Sequence, residues 1–464
     1  PGDIYYFKDG TYSSKNNGGK SVFYVKSGDP SGSSGMPISW VGYPAEKPLL
    51  DTKNLNSGTF PQTIKFDNDY MLISNFEFDT IHTSILVGGR HGRVIGNDMK
   101  GMRTTVGGSG ILKIGDSYHK AESGSTILGN ALHGATSNNK LDHALYIGAC
   151  AHEKGSIVGW NYLYDNHIGV GPELVINHQK DRCTPDVEWV KSHFIFNNII
   201  DCSGGGSRAR GINVYDLSKD AGEPIPNPEP QYLYNNILIG CGEYNPGGTK
   251  ITGEYAAALQ HDYGKGRFYN NIIYDAGYRG FTFRGDETRF QNNIVHVSTA
   301  NNPDESGTSS SYLGTAHQSG GSVSTPFYLT NNFFYGLPNS YNGFSYGYYI
   351  ENVDNQFGID PQFVDPKTNG YTIADFALQP GSPAIDFGTS NLELDGTTLP
   401  YPISWDMLRN PRVSGYDLGS LESSPPVSCN NDNDCNDNLY CNGVESCNGG
   451  FCSSGTPVSC PTDS

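Results

Sequence analysis

Short apolar bursts set off by asparagine dominate the chain. Asn75-Phe-Glu-Phe, Asn97, Asn130, Asn161-Tyr-Leu-Tyr, Asn198-Ile-Ile, Asn236-Ile-Leu, Asn271-Ile-Ile, Asn293-Ile-Val and Asn332-Phe-Phe follow one another at intervals of 22, 33, 31, 37, 38, 35, 22 and 39 residues. A minimum near 22 with a variable excess is the period of a coil of three short strands, into which loops of different length are inserted at one corner. Asn suits such a corner because stacked amides bond to one another and the residue tolerates left-handed backbone angles. A second apolar triplet precedes each Asn unit: Ile85-Leu-Val87, Leu112-Lys-Ile114, Leu145-Tyr-Ile147, Leu174-Val-Ile176, Ile212-Asn-Val214, Ala257-Ala-Leu259 and Phe281-Thr-Phe283. Side chains alternate along a strand, so the first and third residues are expected inside the coil, with the middle and fourth outside. The pattern predicts an all-β solenoid in which Asn198, Asn236 and Asn271 stack at one corner.

Composition fits this reading. With 59 Gly, 30 Tyr and 21 Phe against only 17% charged residues, the chain favours many short strands separated by turns over disorder. Its net charge of −18 opposes nucleic acid and anionic membranes as general partners, since both are bound through clustered Lys and Arg. An acidic polymer would need a local basic patch. No run approaches the roughly 20 apolar residues of a membrane helix, so no membrane span is expected. No charged-then-apolar leader precedes Pro1, and any targeting segment is expected to have been removed or to lie outside this sequence. The chain is expected to act as a monomer.

The cysteines divide the chain. Cys150, Cys183, Cys202 and Cys241 lie in the body, whereas Cys429, Cys435, Cys441, Cys447, Cys452 and Cys460 crowd the end, a density that points to an oxidising compartment and secretion. Zinc is disfavoured there, because the end has neither Cys-x-x-Cys nor His. The boundary is set at the linker-like Ser423-Ser-Pro-Pro426, giving a solenoid over residues 1–423 and a small disulfide-rich module over 424–464. Pro426-Val-Ser-Cys429 recurs as Pro457-Val-Ser-Cys460, so a second copy of the module begins there. The run Asn430-Asn-Asp-Asn-Asp-Cys-Asn-Asp437 offers Ca²⁺ oxygens, but a solvated acidic loop is the plainer reading. Cys202 and Cys241 both follow Asn-Asn-Ile units in successive coils, which predicts a disulfide; Cys150 with Cys183 is the second expected pair.

Both ends of the solenoid carry a family resemblance. Gly2-Asp-Ile-Tyr-Tyr-Phe-Lys-Asp-Gly-Thr-Tyr12 and Pro37-Ile-Ser-Trp-Val-Gly-Tyr-Pro-Ala-Glu-Lys-Pro48 resemble the first coils of pectate-lyase-like right-handed parallel β-helix proteins. Asp360-Pro-Gln-Phe-Val-Asp-Pro366, Leu378-Gln-Pro-Gly-Ser-Pro-Ala-Ile-Asp386, Arg409-Asn-Pro-Arg412 and Asp417-Leu-Gly-Ser-Leu-Glu422 are similar to their endings. The tail resembles short Cys-rich repeats that follow secreted enzymes. The resemblance implies a secreted, carbohydrate-active solenoid with its substrate on the sheet built from the aligned triplets. It does not fix the reaction, since such folds serve lyases, hydrolases, epimerases and adhesins.

On that sheet the outward middle column reads Leu86, Lys113, Tyr146, Val175, Asn213, Ala258, Thr282. The next outward column reads Gly88, Gly115, Gly148, Asn177, Tyr215, Gln260, Arg284, and the residue after it Gly89, Asp116, Ala149, His178, Asp216, His261, Gly285. Asn177-His178, Tyr215-Asp216 and Gln260-His261 are thus expected one above another at about 4.8 Å. A turn His taken alone is more often a surface residue; gathered beside Tyr and Arg, such groups point to a functional site. His178, Tyr215, His261 and Arg284 are the catalytic candidates, with Lys113, Tyr146, Asn177, Arg208, Arg210, Asn213 and Gln260 as substrate contacts. His143, which opens a strand, ranks second. Insertions over 177–191, 202–211 and 216–231 supply walls, with Lys180, Asp181, Arg182, Arg208 and Arg210 able to meet carboxylate or sulfate groups.

Three functions fit these residues. Breaking a uronate chain by β-elimination needs a cation on the C6 carboxylate, a base at C5 and an acid for the leaving oxygen. Arg284, Arg208 or Arg210 would be the cation, His178 or His261 the base, and Tyr215 or a His the acid. No cofactor is required in this scheme, although Ca²⁺ held by Asp216, Asp262 or Glu173 would replace Arg. Hydrolysis needs two carboxyl groups about 5 to 9 Å apart, for which Asp216 with Asp262 or Asp116 with Glu173 are the candidates. A non-catalytic glycan-binding or adhesive solenoid is the third reading. The expected partner is an acidic, uronate-containing or sulfated polysaccharide, and the lyase reading ranks first.

Overall fold

The computed structural model describes residues 2–13, 21–26, 28–52, 62–102, 110–115, 124–136, 142–149, 154–166, 172–178, 191–204, 210–216, 229–242, 257–262, 264–277, 279–283, 287–297, 312–316, 327–336, 350–412, 415–423, 429–435, 446–448 and 451–453. Strands in chain order are dealt in turn to three sheets, so each strand pairs in parallel with the third one after it, until the third sheet ends and Phe327–Thr330 and Phe333–Tyr335 pair with the second one after. The first sheet has 12 strands, from Ile4–Phe7 to Ile350–Val353, and the second 12, from Thr11–Ser13 to Gln356–Phe357. The third has 10, from Phe23–Val25 to Tyr312–Ala316. One strand per sheet per turn of chain is a parallel β-helix, as the repeat predicts. In the third sheet Ile64, Ile85, Leu112, Leu145, Leu174, Ile212, Leu259 and Phe281 form one continuous inward column, each buried. Complete burial of each such side chain is worth about 1.5–3 kcal/mol.

The Asn ladder forms at the corner between the first and second sheets. Asn198, Asn236 and Asn271 stack as expected: in each, the backbone N–H and Nδ2 both donate to Oδ1 of the next Asn up the coil, at 2.8–3.1 Å. Each Nδ2 also donates to a carbonyl of the preceding coil, Val158, Ile195 and Leu233 respectively. The ladder begins at Asn97 and runs on to Asn355, which the spacing analysis did not include. Asn75 stands one position earlier than expected, because the amide of Phe76 is the group that donates to Asn97 Oδ1. Asn75 occupies instead the left-handed position that precedes every rung, with φ 63°. That position is Gly96 or Gly129 in early coils and Asn197, Asn235, Asn270, Asn292 or Asn331 in later ones, all with φ between 52° and 65°.

The two Asn of a doublet therefore divide the work. The second builds the ladder, and the first turns the chain and points its amide outward. Asn235 Nδ2 donates to Trp405 O, Asn331 Nδ2 to Phe387 O, and Asn292 exchanges two bonds with the backbone of Thr389. These partners belong to the segment 359–422, which packs over two faces of the later coils. On the second sheet, Ile237, Ile239 and Ile272 meet Phe363, Phe376, Leu378 and Leu418; on the first, Phe196, Tyr232, Tyr234 and Tyr269 meet Leu394, Leu399, Tyr401 and Ile403. Fully buried Arg267 fastens the segment by a two-pronged contact with Asp395 at 2.7 and 2.8 Å, and spends its other donors on Glu287 and the carbonyls of Gly266 and Glu287.

Cys202 and Cys241 are joined with a Cα separation of 4.9 Å, as predicted. In the tail Cys429 is joined to Cys447, beside a short hairpin of Ser446–Asn448 and Phe451–Ser453. Cys150 and Cys183 lie outside the described residues.

Asn236→Ala would delete two donated and two accepted hydrogen bonds inside the coil. It should lower unfolding stability by about 2–4 kcal/mol, read as a fall in the urea midpoint with an unchanged slope. A loss below about 0.5 kcal/mol, the range of ordinary surface substitutions, would show that the ladder does not hold the coils in register.

Candidate functional site

With the C-terminal segment on the first two sheets, the outer face of the third carries the polar columns. Strand register places Lys113, Tyr146, Val175, Asn213, Gln260 and Thr282 side by side in the middle column. Tyr146 lies along the strand over Gly148, where an added Cβ would stand 2.8 Å from the ring. Its hydroxyl accepts a hydrogen bond from Asn177 Nδ2 at 3.1 Å, its ring stacks on His143 with centroids 5.5 Å apart, and Lys113 Nζ lies 5.4 Å from its centroid. The phenol is therefore fixed in direction by an imidazole of its own strand and by an amide and a cation from the two neighbouring strands.

A second cluster follows on the next coils. Gln260 Nε2 donates to both oxygens of Asp262 at 2.8 Å, and Gln260 Oε1 accepts from Arg210 Nη1 at 3.5 Å. Asn213 stands in register beside Gln260. Lys113, Tyr146, Asn177, Arg210, Asn213 and Gln260 thus lie on neighbouring coils of one sheet, with Gln260 fully buried and Asn213 and Asn177 buried beside the partly exposed Lys113, Tyr146 and Arg210.

Three expected placements are corrected. Leu259, and not Ala257, pairs with Ile212, so the strand sits two residues away from the expected register. Ala257 and Ala258 do open the strand, Ala257 pairing with Arg279, but the strand is set two residues along; space is short there, since a Cβ on Gly211 would lie 2.6 Å from Ala258 O and 3.1 Å from Cys241 Sγ. In consequence Gln260 moves to the middle column and Asp262 takes the place beside Tyr215, where its N–H donates to Val214 O. His261 turns inward, in the column of Val214 and Phe283, fully buried and edge-on to Phe268 at 5.4 Å. It cannot reach a polymer on the outer face.

Glu173 is the third correction. It is completely buried near the start of its strand, where Ala144 and Ala258 occupy other coils. Its Oε2 accepts from Asn166 Nδ2 at 3.0 Å, and burial pushes its pKa well above the ordinary 4.5. An acid enclosed in the coil, with its ionised form disfavoured, is a poor ligand for Ca²⁺, which takes six to eight oxygens, and a poor member of a hydrolytic carboxylate pair. Asp262 has both oxygens engaged by Gln260. No group of three or more His, Cys, Asp or Glu able to hold a metal occurs among the described residues. The described part of the proposed Ca²⁺ set does not fit the ion.

Backbone pairing sets Asn177 beside Tyr215 and His178 beside Asp216. The side chains of His178, Tyr215 and Asp216 lie outside the described residues, as do Arg208, Arg284, Asp116, Lys180, Asp181 and Arg182. The middle column also extends two coils toward the N-terminus, which the triplet analysis missed by starting at Ile85. Lys65 Nζ lies 5.2 Å from the ring of Tyr24 and 3.4 Å from Asp67. A hydrogen bond from Tyr24 to Asp67 at 2.8 Å raises the phenol to about 12. The signal was legible in Phe23-Tyr-Val25 and Ile64-Lys-Phe66, which share the apolar-outward-apolar pattern.

Comparison with known proteins returns structures of the same general shape. The chain is similar to a pectate lyase, Pel9A, with 13% identity over 91% of this chain and 88% of that one and a TM-score of 0.43. It is similar to a rhamnogalacturonan lyase, with 13% identity, 85% and 89% coverage and a TM-score of 0.40. A GH87 α-1,3-glucanase from Streptomyces thermodiastaticus shares 12% identity over 77% of this chain and 65% of that one, with a TM-score of 0.36. No family model and no curated protein matches. At such identities and scores nothing about reaction or substrate follows from the likeness.

Two outcomes test these placements. His261→Phe, which suits a column that already holds Phe283, should leave turnover within a few-fold of the parent, whereas His261→Ala should cost about 2–4 kcal/mol of stability through the cavity it leaves. A hundredfold loss of turnover in His261→Phe at unchanged melting temperature would return His261 to the site. For Glu173, the folded state holds its proton to a higher pH than the unfolded state, so stability drains away as pH rises from about 4.5 through the raised value. Glu173→Gln removes this drain. It should match the parent near pH 4 and exceed it increasingly as pH rises, until the raised value is passed and the difference levels off, as followed by urea midpoints.

Proposed function

We propose that the outer face of the third sheet binds and cleaves an acidic, uronate-containing or sulfated polysaccharide, and that the reaction is a β-elimination. The observation that carries this reading is Tyr146, oriented by Asn177, stacked on His143 and flanked by Lys113 on an outward strand face. A chain-like ligand laid along the coil axis would cross one strand about every 4.8 Å and meet the partly exposed Lys113, Tyr146 and Arg210 in succession.

In this scheme Lys113 or Arg210 meets the C6 carboxylate and stabilises the negative charge that grows as C5 loses its proton. Tyr146 and a partner from the next two coils, His178 or Tyr215, divide the proton transfers. One accepts the C5 proton, the electron pair closes the C4–C5 double bond, the C4–O bond breaks, and the other group protonates the departing oxygen. Arg284 is kept as a further carboxylate contact. The chain's own side chains suffice for each step. Two disulfides, Cys202–Cys241 and Cys429–Cys447, fit work in an oxidising extracellular setting.

Digesting a panel of uronate and sulfated polysaccharides, with near-ultraviolet absorbance and reducing ends read together, tests the reaction. Both should rise on the true substrate. Reducing ends alone would make the protein a hydrolase, and binding without either would make it an adhesive solenoid. On that substrate Tyr146→Phe should lower kcat at least about a hundredfold at nearly the same melting temperature, the usual size of a lost proton transfer. Arg210→Ala should act mainly on KM if it contributes general binding and on kcat if its contact strengthens in the transition state.

A further inference from the structure

We propose that the corner between the third and first sheets holds a second, non-catalytic site for a single anionic sugar unit, recognised through its carboxylate or sulfate. A pocket of about 200 Å³ opens there, lined by Tyr70, His91, Arg93, Gly124, Lys154 and Phe194. It is below the 300–1,000 Å³ usual for drug-sized ligands and suits one ring with its charged substituent.

Its lining is unusual for this chain. The protein carries a net charge of −18, yet the pocket gathers Arg93 and Lys154 from different coils. Arg90 beside it is neutralised by Asp69, through Nη2 at 2.7 Å and Nε at 3.0 Å, whereas Arg93 has no carboxylate partner among the described residues. A guanidinium so placed offers its two-pronged donor edge to an incoming oxyanion. Tyr70 and His91 stack with centroids 4.5 Å apart and Phe194 contributes a further ring, giving apolar surface for the face of a sugar.

The backbone is bent to make room. Tyr70 and His91 take left-handed angles, φ 56° and 58°, a conformation that bulky residues rarely adopt and that tends to mark functional sites. Between them and Lys154 stands Gly124, also left-handed at φ 71°, where a Cβ would lie 2.7 Å from His91 Nδ1 and 3.1 Å from Lys154 Cβ. A larger residue would press into the His91 and Lys154 side chains that line the pocket. The choice of an acidic sugar as ligand rests on the reading of the third sheet as a polysaccharide face; the anion-and-ring chemistry of the pocket does not.

The full chain is titrated calorimetrically with hexagalacturonate, a sulfated galactan hexasaccharide and sodium sulfate, in a Tyr146→Phe background that slows cleavage. Arg93→Gln should weaken binding of the preferred hexasaccharide about tenfold or more, the size of a lost charge-assisted contact. Thr126→Phe, which fills the pocket and removes no charge, should do the same. In the Tyr146-intact protein both should leave kcat on a saturating substrate within about twofold. Unchanged affinity in both variants, with cleavage by the parent intact, overturns the second site and leaves the proposed function standing. Lost affinity in both variants of a protein that cleaves nothing sustains the site and sinks the lyase reading. Sodium sulfate binding as tightly as either hexasaccharide would reduce the pocket to an inorganic-anion site and overturn the proposal.

Discussion

A buried carboxamide that can be satisfied only by its copy in the next coil is the constraint on which this molecule rests. Each ladder Asn has three or four hydrogen bonds to make inside the coil, and a coil displaced by one residue would leave them unmade, at about 1–3 kcal/mol for each buried group. The strands are two to seven residues long and their sheets have little to fix register except alternation. The ladder supplies what the strands lack. Because it sets all three sheets at once, it also decides which side chains of the third sheet stand side by side, and so decides the composition of the candidate site.

Much of this was legible in the sequence, for the same reason. A side chain that must recur at one place in every coil leaves a mark that loop insertions cannot blur, and Asn97 to Asn332 were all found by it. What was misread lay where a different constraint imitates the pattern. Asn75 belongs to the left-handed position, which accepts Asn as readily as the ladder does. Ala257-Ala-Leu259 looked like an apolar triplet in register with Ile212-Asn-Val214, but the strand is set two residues along, with Leu259 against Ile212. A shift of two residues preserves the alternation, so hydrophobicity alone could not expose it; it carried His261 from the expected turn into the inward column and set Asp262 beside Tyr215. Glu173 was misjudged for the complementary reason: a carboxyl reads as a surface group from sequence, and only the three-dimensional fold buries it.

The asymmetry of the faces follows from the doublets. In the later coils the left-handed Asn points its amide away from the coil, and the segment 359–422 takes up Asn235, Asn292 and Asn331 along its length. Arg267 and Arg412, both buried on two-sided networks of carboxylates and carbonyls, fix the same segment, and leaving either charge without its acid would cost several kcal/mol. Two of three faces are thereby covered with apolar contacts. Polar columns on the third are not needed to hold the segment, which is why the partly exposed Lys113 and Tyr146 require an explanation other than packing.

Electrostatics then favours local over global recognition. A net charge of −18 repels an acidic polymer at a distance, but at physiological salt that field decays over about 8 Å, so the balance is decided by groups in contact. Much of the described acid is already engaged elsewhere: Asp69 with Arg90, Asp98 with His133, Glu229 with Lys191, Glu287 and Asp395 with Arg267. On the third sheet Lys113 lies over a phenol ring and Arg210 donates to a carboxamide. If the proposed acidic chain is the ligand, it is held at short range by such cations while the rest of the surface disfavours loose association, which ties binding to the correct seating of the polymer along the coil.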